Sequence, residues 1–219
     1  MEDYLKTIYH LQYDTDERIR TAAIAEELDV TSPTVTSMID TLEEQSLVDR
    51  EKYRGVRLTK KGEQVALEVI RHHRLLETFL TEHLDYDWTE VHDEADRLEH
   101  HISEDFEKRM AAALDNPTVD PHGDPIPNVD LEPPRTQETK SLLSFEKGDA
   151  VVVQQVSDRD PEILEYLSNR GIEPGTKLTI LDIAPFGMIT AEPHCNVDSV
   201  SLPEDVAGGI RVSAASNGR

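Results

Sequence analysis

The stretch "TAAIAEELDVTSPTVTSMIDTLEEQSLVDREKYRGVRLTKKG", residues 21–62, constrains the fold more than any other part of the chain. Its first residues have helical spacing and a turn follows at once. The next helix opens with Thr31 or Ser32 as N-cap and Pro33 in its first turn, then sets Val35, Met38, Ile39 and Leu42 on one face. Two helices joined by a short turn, the second beginning with small polar residues, make a helix-turn-helix. Two short strands around a turn at Arg54 and Gly55 then read as a wing. Residues 50–61 hold Arg50, Lys52, Arg54, Arg57, Lys60 and Lys61 against a single acid, Glu51.

That basic cluster stands in a chain with 45 Asp and Glu against 22 Lys and Arg, a formal charge of -23. Contact with nucleic-acid phosphates accounts for it, since Lys and Arg beside a duplex release condensed counterions. The alternative is a solvated basic hairpin. The acid excess is spread along every segment and comes with 8 Lys against 14 Arg. This is the pattern expected of a halophilic protein in molar salt, where a Debye length of about 3 Å at 1 M screens self-repulsion; an acidic protein kept soluble by its net charge is the other reading. No stretch approaches the roughly 18 to 20 apolar residues of a membrane span, and the N-terminus has no basic region followed by an apolar one, so a soluble, cytoplasmic protein is expected. One cysteine, Cys195, excludes an internal disulfide framework and any cysteine-only zinc site within the chain.

At 219 residues, two or three domains are expected. Residues 2–13 carry Leu5, Ile8, Tyr9 and Leu11 at helical spacing. Thr59 caps a long helix running to about residue 81, and another is expected from 89 to about 114, with Val91, Ala95, Leu98, Ile102 and Phe106 as its apolar stripe. From 115 to 140 six prolines make a partly ordered linker. The segments "GDAVVVQQV", "TKLTILDI", "GMITAE", "NVDSVSL" and "GGIRVS", with one helix near 160–170, fit a small barrel of five or six strands. The expected class is α+β and multidomain: a winged helix-turn-helix over 1–62, a helical domain over 63–130, a linker over 131–144 and a β-barrel over 145–213.

Residues 91–101, "VHDEADRLEHH", put three histidines and four carboxylates into eleven positions of one expected helix. His92, Asp96, Glu99 and His100 stand at i, i+4, i+7 and i+8 and so share a face. On the preceding helix His73 and Glu77 are again four apart, and Asp3 lies at the N-terminus. Carboxylate and imidazole together suit Mn²⁺, Fe²⁺ or Zn²⁺. Spacing alone leaves a metal site and a solvated acidic face both open. With no "HExxH", no nucleophile elbow and no glycine-rich phosphate loop, the chain does not read as an enzyme.

The motifs "MEDYLKTIY", "SPTVT", "EKYRGVRLT", "RHHRLLETFL", "VHDEADRLEHHIS" and "PHGDPIP", in that order, resemble the diphtheria-toxin-repressor family of iron- and manganese-dependent transcriptional regulators. The likeness spans about residues 1–130, and the barrel resembles the SH3-like, FeoA-like third domain of the longer members. The resemblance implies a homodimer that binds double-stranded operator DNA when activated by Mn²⁺ or Fe²⁺, represses genes of metal uptake, and needs no membrane or small-molecule substrate. It implies that the helical domain carries the dimer interface and the metal sites. Asp3, Asp96, Glu99 and His100 correspond to the primary site. His73, Glu77 and His92 correspond to the ancillary site, which Asp160, or else Glu162, could complete. Thr31, Ser32, Pro33, Thr34, Thr36 and Ser37 fall on the DNA-facing part of the recognition helix, with Arg50, Lys52, Arg54, Arg57 and Lys60 on the flanking phosphates.

Two departures from the iron-responsive branch bear on the ion: Asp3 and Asp96 replace its methionine and cysteine, which favours Mn²⁺ over Fe²⁺. Lys6 stands where the manganese branch often has a ligand glutamate, which argues against a second, closely bridged manganese. Without metal, Asp3, Asp96 and Glu99 would be three like charges, and a divalent ion would reverse the sign of their interaction. Two alternatives compete: a winged-helix regulator that senses a non-metal signal, and a metal-transport accessory protein that does not bind DNA.

Overall fold

The structure is a computed structural model that describes residues 1–13, 17–133, 139–185, 187–194 and 198–215. Cys195 lies outside the described residues, as do Asn196 and Val197 of one expected strand and residues 134–138 of the expected linker. Contacts divide the chain into two compact units, one of Met1–His73, Glu99–Ser103 and Pro127–Pro134, the other of Arg74–Leu98, Glu104–Ile126 and Arg135–Arg219.

The first unit holds α1 (Glu2–Tyr13), α2 (Thr21–Glu27), α3 (Ser32–Glu44), the antiparallel strands β1 (Val48–Glu51) and β2 (Gly55–Leu58), and the first part of α4 (Lys60–Leu84). Thr31 is the N-cap of α3 and Pro33 lies in its first turn, where the missing amide hydrogen costs nothing. Thr59 accepts a hydrogen bond from the Gly62 amide at 3.1 Å and so caps α4. The apolar face of each helix meets in one core of Leu5, Ile8, Ile24, Val35, Ile39 and Leu42, all fully buried, with Val56 from the wing. Each such leucine or isoleucine stabilises the unit by about 1.5–3 kcal/mol relative to exposure. The backbone of Ile19 exchanges two hydrogen bonds with Val56, at 2.7 and 2.9 Å, which ties the turn before α2 to the wing.

In the second unit α5 (Val91–Leu98) and α6 (Glu104–Ala113) follow the end of α4. The single helix expected over 89–114 is therefore broken. Residues 99–103 form a turn that belongs to the first unit, where the Glu99 carbonyl lies 3.2 Å from His72 Nδ1 instead of continuing the helical ladder. Two consecutive histidines and an isoleucine are weak helix formers, and Ser103 followed by Glu104, Asp105 and Glu107 starts a helix well.

The remaining elements form the expected β domain. They are β3 (Lys140–Ser141), a 3₁₀ turn at Leu142–Ser144, β4 (Ala150–Val156), α7 (Pro161–Ser168), β5 (Lys177–Ile183), β6 (Ile189–Pro193), β7 (Val200–Leu202), α8 (Glu204–Gly208) and β8 (Ile210–Ala214). The sheet is antiparallel in the order β3-β8-β4-β5-β6-β7. Alternate residues of β4, Val151 and Val153, and of β5, Leu178 and Ile180, turn inward onto Leu164, Leu167 and Ile172, and Trp88 packs against the same core.

The proline-rich stretch after α6 is closely tied down. The turn at Gly123 runs against β4: Val156 donates to the His122 carbonyl at 2.9 Å, and a β-carbon at Gly123 would lie 1.9 Å from the carbonyl oxygen of Gln154. With φ +87, only glycine fits there. Arg74 donates to the Pro125 carbonyl at 2.6 Å and to Asp124 at 2.8 Å, holding the same turn from the α4 side.

Candidate metal centres and nucleic-acid face

The first cluster forms at the start of α1 and the turn after α5. Ligand atoms of Asp3, Glu99 and His100 lie within 4.8 Å of one another. His100 Nε2 is 2.8 Å from Asp3 Oδ1 and 3.5 Å from Glu99 Oε1, while its Nδ1 is 2.6 Å from Glu2. Glu99 is 2 % exposed, although its neighbours in the turn face solvent. Its Oε2 is 2.6 Å from His73 Nδ1, and Lys6 Nζ donates to both of its oxygens at 3.0 and 3.2 Å.

This geometry corrects two expectations. His92, Asp96, Glu99 and His100 do not share one helical face, because the helix stops at Leu98; Asp96 Oδ2 is instead 3.7 Å from His92 Nε2. The Glu99 charge also does not stand unopposed, since the Lys6 ammonium lies against it.

A second cluster gathers on Glu77, which α4 buries completely. His92 Nδ1 lies 3.2 Å from Glu77 Oε1 and 3.3 Å from Asp158 Oδ2. On the other oxygen, Glu77 Oε2 is 3.6 Å from His122 Nδ1, and Glu77, Asp120 and His122 again bring ligand atoms within 4.8 Å of each other. The expected partner Asp160 is elsewhere: its carboxylate accepts from the amides of Glu162 and Ile163 at 2.9 and 3.4 Å as the N-cap of α7. A carboxylate used as a helix cap is aimed along its own chain, so Asp158, two positions earlier, reaches the cluster instead.

Asp120, His122 and Asp158 are the residues that sequence reasoning missed. The signal for two of them is present in "DPHGDPIP", where acids and a histidine sit in a rigid proline–glycine turn, a pattern more readily read as a loop than as a source of ligands.

His122 carries the most informative geometry. It is fully buried, and Nε2 lies 2.7 Å from the Trp88 carbonyl, an acceptor only, so Nε2 must carry the hydrogen. In the neutral ring Nδ1 is then a bare lone pair, and it makes no hydrogen bond among the described residues while facing Glu77 and Asp120. Lone pair against carboxylate is repulsive unless a proton or a cation lies between them. Burial opposes a charged imidazole, but Glu77, Asp120 and Asp158 outweigh it and raise His122 to about 9. Burial, with Asp124 and Glu77 close by, pushes the Asp120 carboxyl well up. Asp158 goes the other way, to about 2: burial alone would raise it, and the hydrogen bond to His92 overrides that.

The candidate nucleic-acid face lies on α3 and the wing. Thr31, Ser32, Pro33, Thr34 and Ser37 are exposed and Thr36 is half-buried, with its hydroxyl donating to the Ser32 carbonyl at 2.9 Å. Lys52 lies 5.2 Å from the centroid of the Tyr53 ring, and Lys60 is exposed at the start of α4. The wing arginines are not free cations. Arg50 is paired with Asp40, Arg54 with Glu51 at 2.9 Å, and Arg57 with Asp49 at 3.3 Å across the β1–β2 ladder. Arg18 adds bonds to Asp49 at 2.6 Å and to Glu51 at 3.2 Å, and its hydrogen bond holds the Asp49 carboxyl below its ordinary range. Asp40 and Asp49 lie outside the basic run of residues 50–61, so a count over that run misses them.

No helix among the described residues is long and apolar enough to cross a membrane. Three family profiles match in succession: the N-terminal DNA binding domain of the iron dependent repressors over residues 1–56, their metal binding and dimerisation domain over 59–128, and the FeoA domain over 140–214. The iron-dependent repressor IdeR of Mycobacterium tuberculosis is 34% identical over 222 residues, covering 96% of this chain and 95% of that protein. Among solved structures, a manganese-dependent transcriptional repressor in complex with manganese is 38% identical with a TM-score of 0.90, covering 98% of this chain and 99% of the other. The manganese regulator SloR is 33% identical with a TM-score of 0.79, covering 98% of each chain.

Proposed function

This chain belongs to the iron-dependent repressor family of metal-dependent transcriptional repressors, and on that premise we propose that it is a Mn²⁺-activated, cytoplasmic repressor of metal-uptake genes whose metal centres are the two clusters above. It binds DNA through its N-terminal domain and acts as a homodimer. The domain division 1–62, 63–130, 131–144 and 145–213 is part of the same proposal, as is its role as a regulator and not an enzyme.

The donor sets fit a hard divalent ion. Asp3, Glu99 and His100 would hold one, with Asp96 as a further carboxylate assigned by its place in the sequence. Glu77, His92, Asp158, Asp120 and His122 would hold the other, and His73, one turn before Glu77 along α4, belongs with them by spacing. Both sets consist of carboxylate and imidazole with no sulfur ligand, which suits Mn²⁺. When bound, the ion supplies a positive charge that pulls anionic ligands together. The manganese-bound repressor structure favours the same ion, whereas the M. tuberculosis relative is described as iron-dependent.

The observation that carries the reading is His122 Nδ1, fully buried, without a hydrogen bond among the described residues and aimed at two carboxylates, a position that needs a proton or a bound cation between them. Burying an ionisable ring in that position is costly unless a cation is shared with Glu77. The chain's own groups do the rest. Trp88 fixes the tautomer of His122, Asp160 fixes the start of α7 just beyond Asp158, and His73 orients Glu99. Since Asp3 lies on α1 of the DNA-binding domain, holding it to Glu99 and His100 sets how the recognition helix is presented. Metal and DNA then bind with positive coupling, each tightening the other.

Selection of genomic DNA fragments by the purified protein in high KCl tests this, run with Mn²⁺, with anaerobic Fe²⁺ and with a chelator. A palindromic site enriched only with metal is expected, more strongly with Mn²⁺. Equal enrichment in chelator would leave a winged helix that senses something other than metal. No enrichment under any condition would move the chain to a metal-handling role without DNA.

A further inference from the structure

On a surface meant to meet a polyanion, arginines are expected to point outward unpaired. Here Arg50, Arg54 and Arg57 are each held by a carboxylate on the same face, from Asp40, Glu51 and Asp49, and Arg18 bridges the last two. All three acids are substantially exposed, between 43% and 59% at the side chain. Exposed pairs of this kind contribute little to stability, so a phosphate can displace the carboxylate at small cost. What the displacement changes is the ion balance.

We propose that these ion pairs make operator binding nearly indifferent to salt: the wing is brought to DNA as neutral arginine–carboxylate pairs, so that its arginines contact phosphates without net release of counterions. The inference rests on the DNA-binding reading above. A cation that neutralises one phosphate lowers log K by about 0.9 for each unit of log salt. The counterion atmosphere responds to the net charge placed beside the duplex. An arginine that arrives with its carboxylate adds none: the counterion lost at the phosphate is kept beside the freed acid. Three such pairs remove about 2.7 from the slope that three lone arginines would give in each half-site. Arg18, which shares Asp49 and Glu51 with the wing arginines, leaves one net positive charge among these pairs. Lys52, Lys60 and Lys61 are the other net cations near the wing, and α3 supplies contacts that do not depend on charge.

The arrangement suits a chain of net charge -23. At a Debye length of about 3 Å, attraction between a basic patch and a duplex is lost beyond contact, whereas a hydrogen-bonded exchange of partners at contact distance survives.

The test uses full-length protein loaded with Mn²⁺ and a duplex that the same protein has selected, with affinity measured over a range of KCl. A shallow slope is expected for the parent. Asp40→Asn should steepen it by about 0.9 per half-site, and Asp40→Asn, Asp49→Asn and Glu51→Gln together by about 2.7, with tighter binding at low salt. Removing both members of one pair, Asp40→Asn with Arg50→Gln, should leave the slope as it was. The three acids are substantially exposed and Arg50 is half-buried, and the double variant guards against a general loss of fold. A parent slope as steep as lone arginines would give, or acid variants with the parent's slope, overturns the inference while leaving the DNA-binding reading intact. Failure of the loaded parent to bind any duplex overturns that reading and the inference with it.

Discussion

Replacing Glu99 by Gln should reveal how strongly the metal-free protein depends on an internal cation. The substitution keeps the shape but removes a charge that is almost wholly buried, 1% exposed at the side chain, and that takes hydrogen bonds from Lys6 at 3.0 and 3.2 Å and a contact at 2.6 Å from His73. A hydrogen bond involving a charged group is worth about 1.5–3 kcal/mol, and breaking a buried pair on one side costs about 3–5 kcal/mol. Lys6, at 17% exposure, can reach water, which moves the expected loss to about 2–4 kcal/mol. Denaturant unfolding in chelator measures it. Lys6→Met added to Glu99→Gln should then cost under about 1 kcal/mol more, giving a coupling of about 2 kcal/mol in the double-mutant cycle. A metal-free Glu99→Gln protein as stable as its parent, or additive losses in the cycle, would refute the claim that Lys6 neutralises Glu99 in solution.

Stability without metal should also fall as pH rises. His122 has its folded pKa raised to about 9 from 6.5, so its contribution is fully present below about 6.5 and is lost between there and 9, about 3 kcal/mol in all. The raised carboxyl of Asp120 acts in the same direction; His122→Phe should flatten the profile, and a parent profile already flat from pH 6.5 to 9 in chelator would contradict the shift. Gly123→Ala should destabilise the protein by more than about 2 kcal/mol, because it combines a left-handed backbone with a backbone overlap. Calorimetry of that variant should show Mn²⁺ binding weakened at the Glu77 centre and unchanged at the Asp3 centre; equal loss at both would mean that the turn does not position His122 specifically.

The winged helix was legible because its signals are local: a Thr31 cap, Pro33, alternate wing residues and a helical stripe are each readable within a few turns of chain. The β domain was legible for the same reason, through Val151 and Val153 or Leu178 and Ile180 on one face. The broken helix at residues 99–103 was not, because what stops it is a bond from His72, 27 positions away, to the Glu99 carbonyl. Spacing therefore placed His100 beside His92, and the fold sends one to Asp3 and the other to Glu77. Of the second centre, the grouping of Glu77 with His92 was implied by the family resemblance, since spacing set Glu77 with His73 and His92 with His100, whereas Asp120, His122 and Asp158 come from irregular turns with no period to read. The expectation named Asp160, or else Glu162; what turns Asp160 away is its use as the cap of α7, which spacing alone does not reveal.

The hydrogen bond from Val156 to the His122 carbonyl, together with the passage of Gly123 over Gln154, bears on how this protein could have been assembled from parts. A shorter version ending before Lys140 would keep every residue of α4 and α5 but would lose both Asp158 and the strand that shapes the His122 turn. In the proposed second centre the C-terminal domain is thus a wall, and it cannot be treated as a detachable module. Gain or loss of that domain between relatives would change the ion-binding capacity of the domain before it, with no substitution in its own sequence.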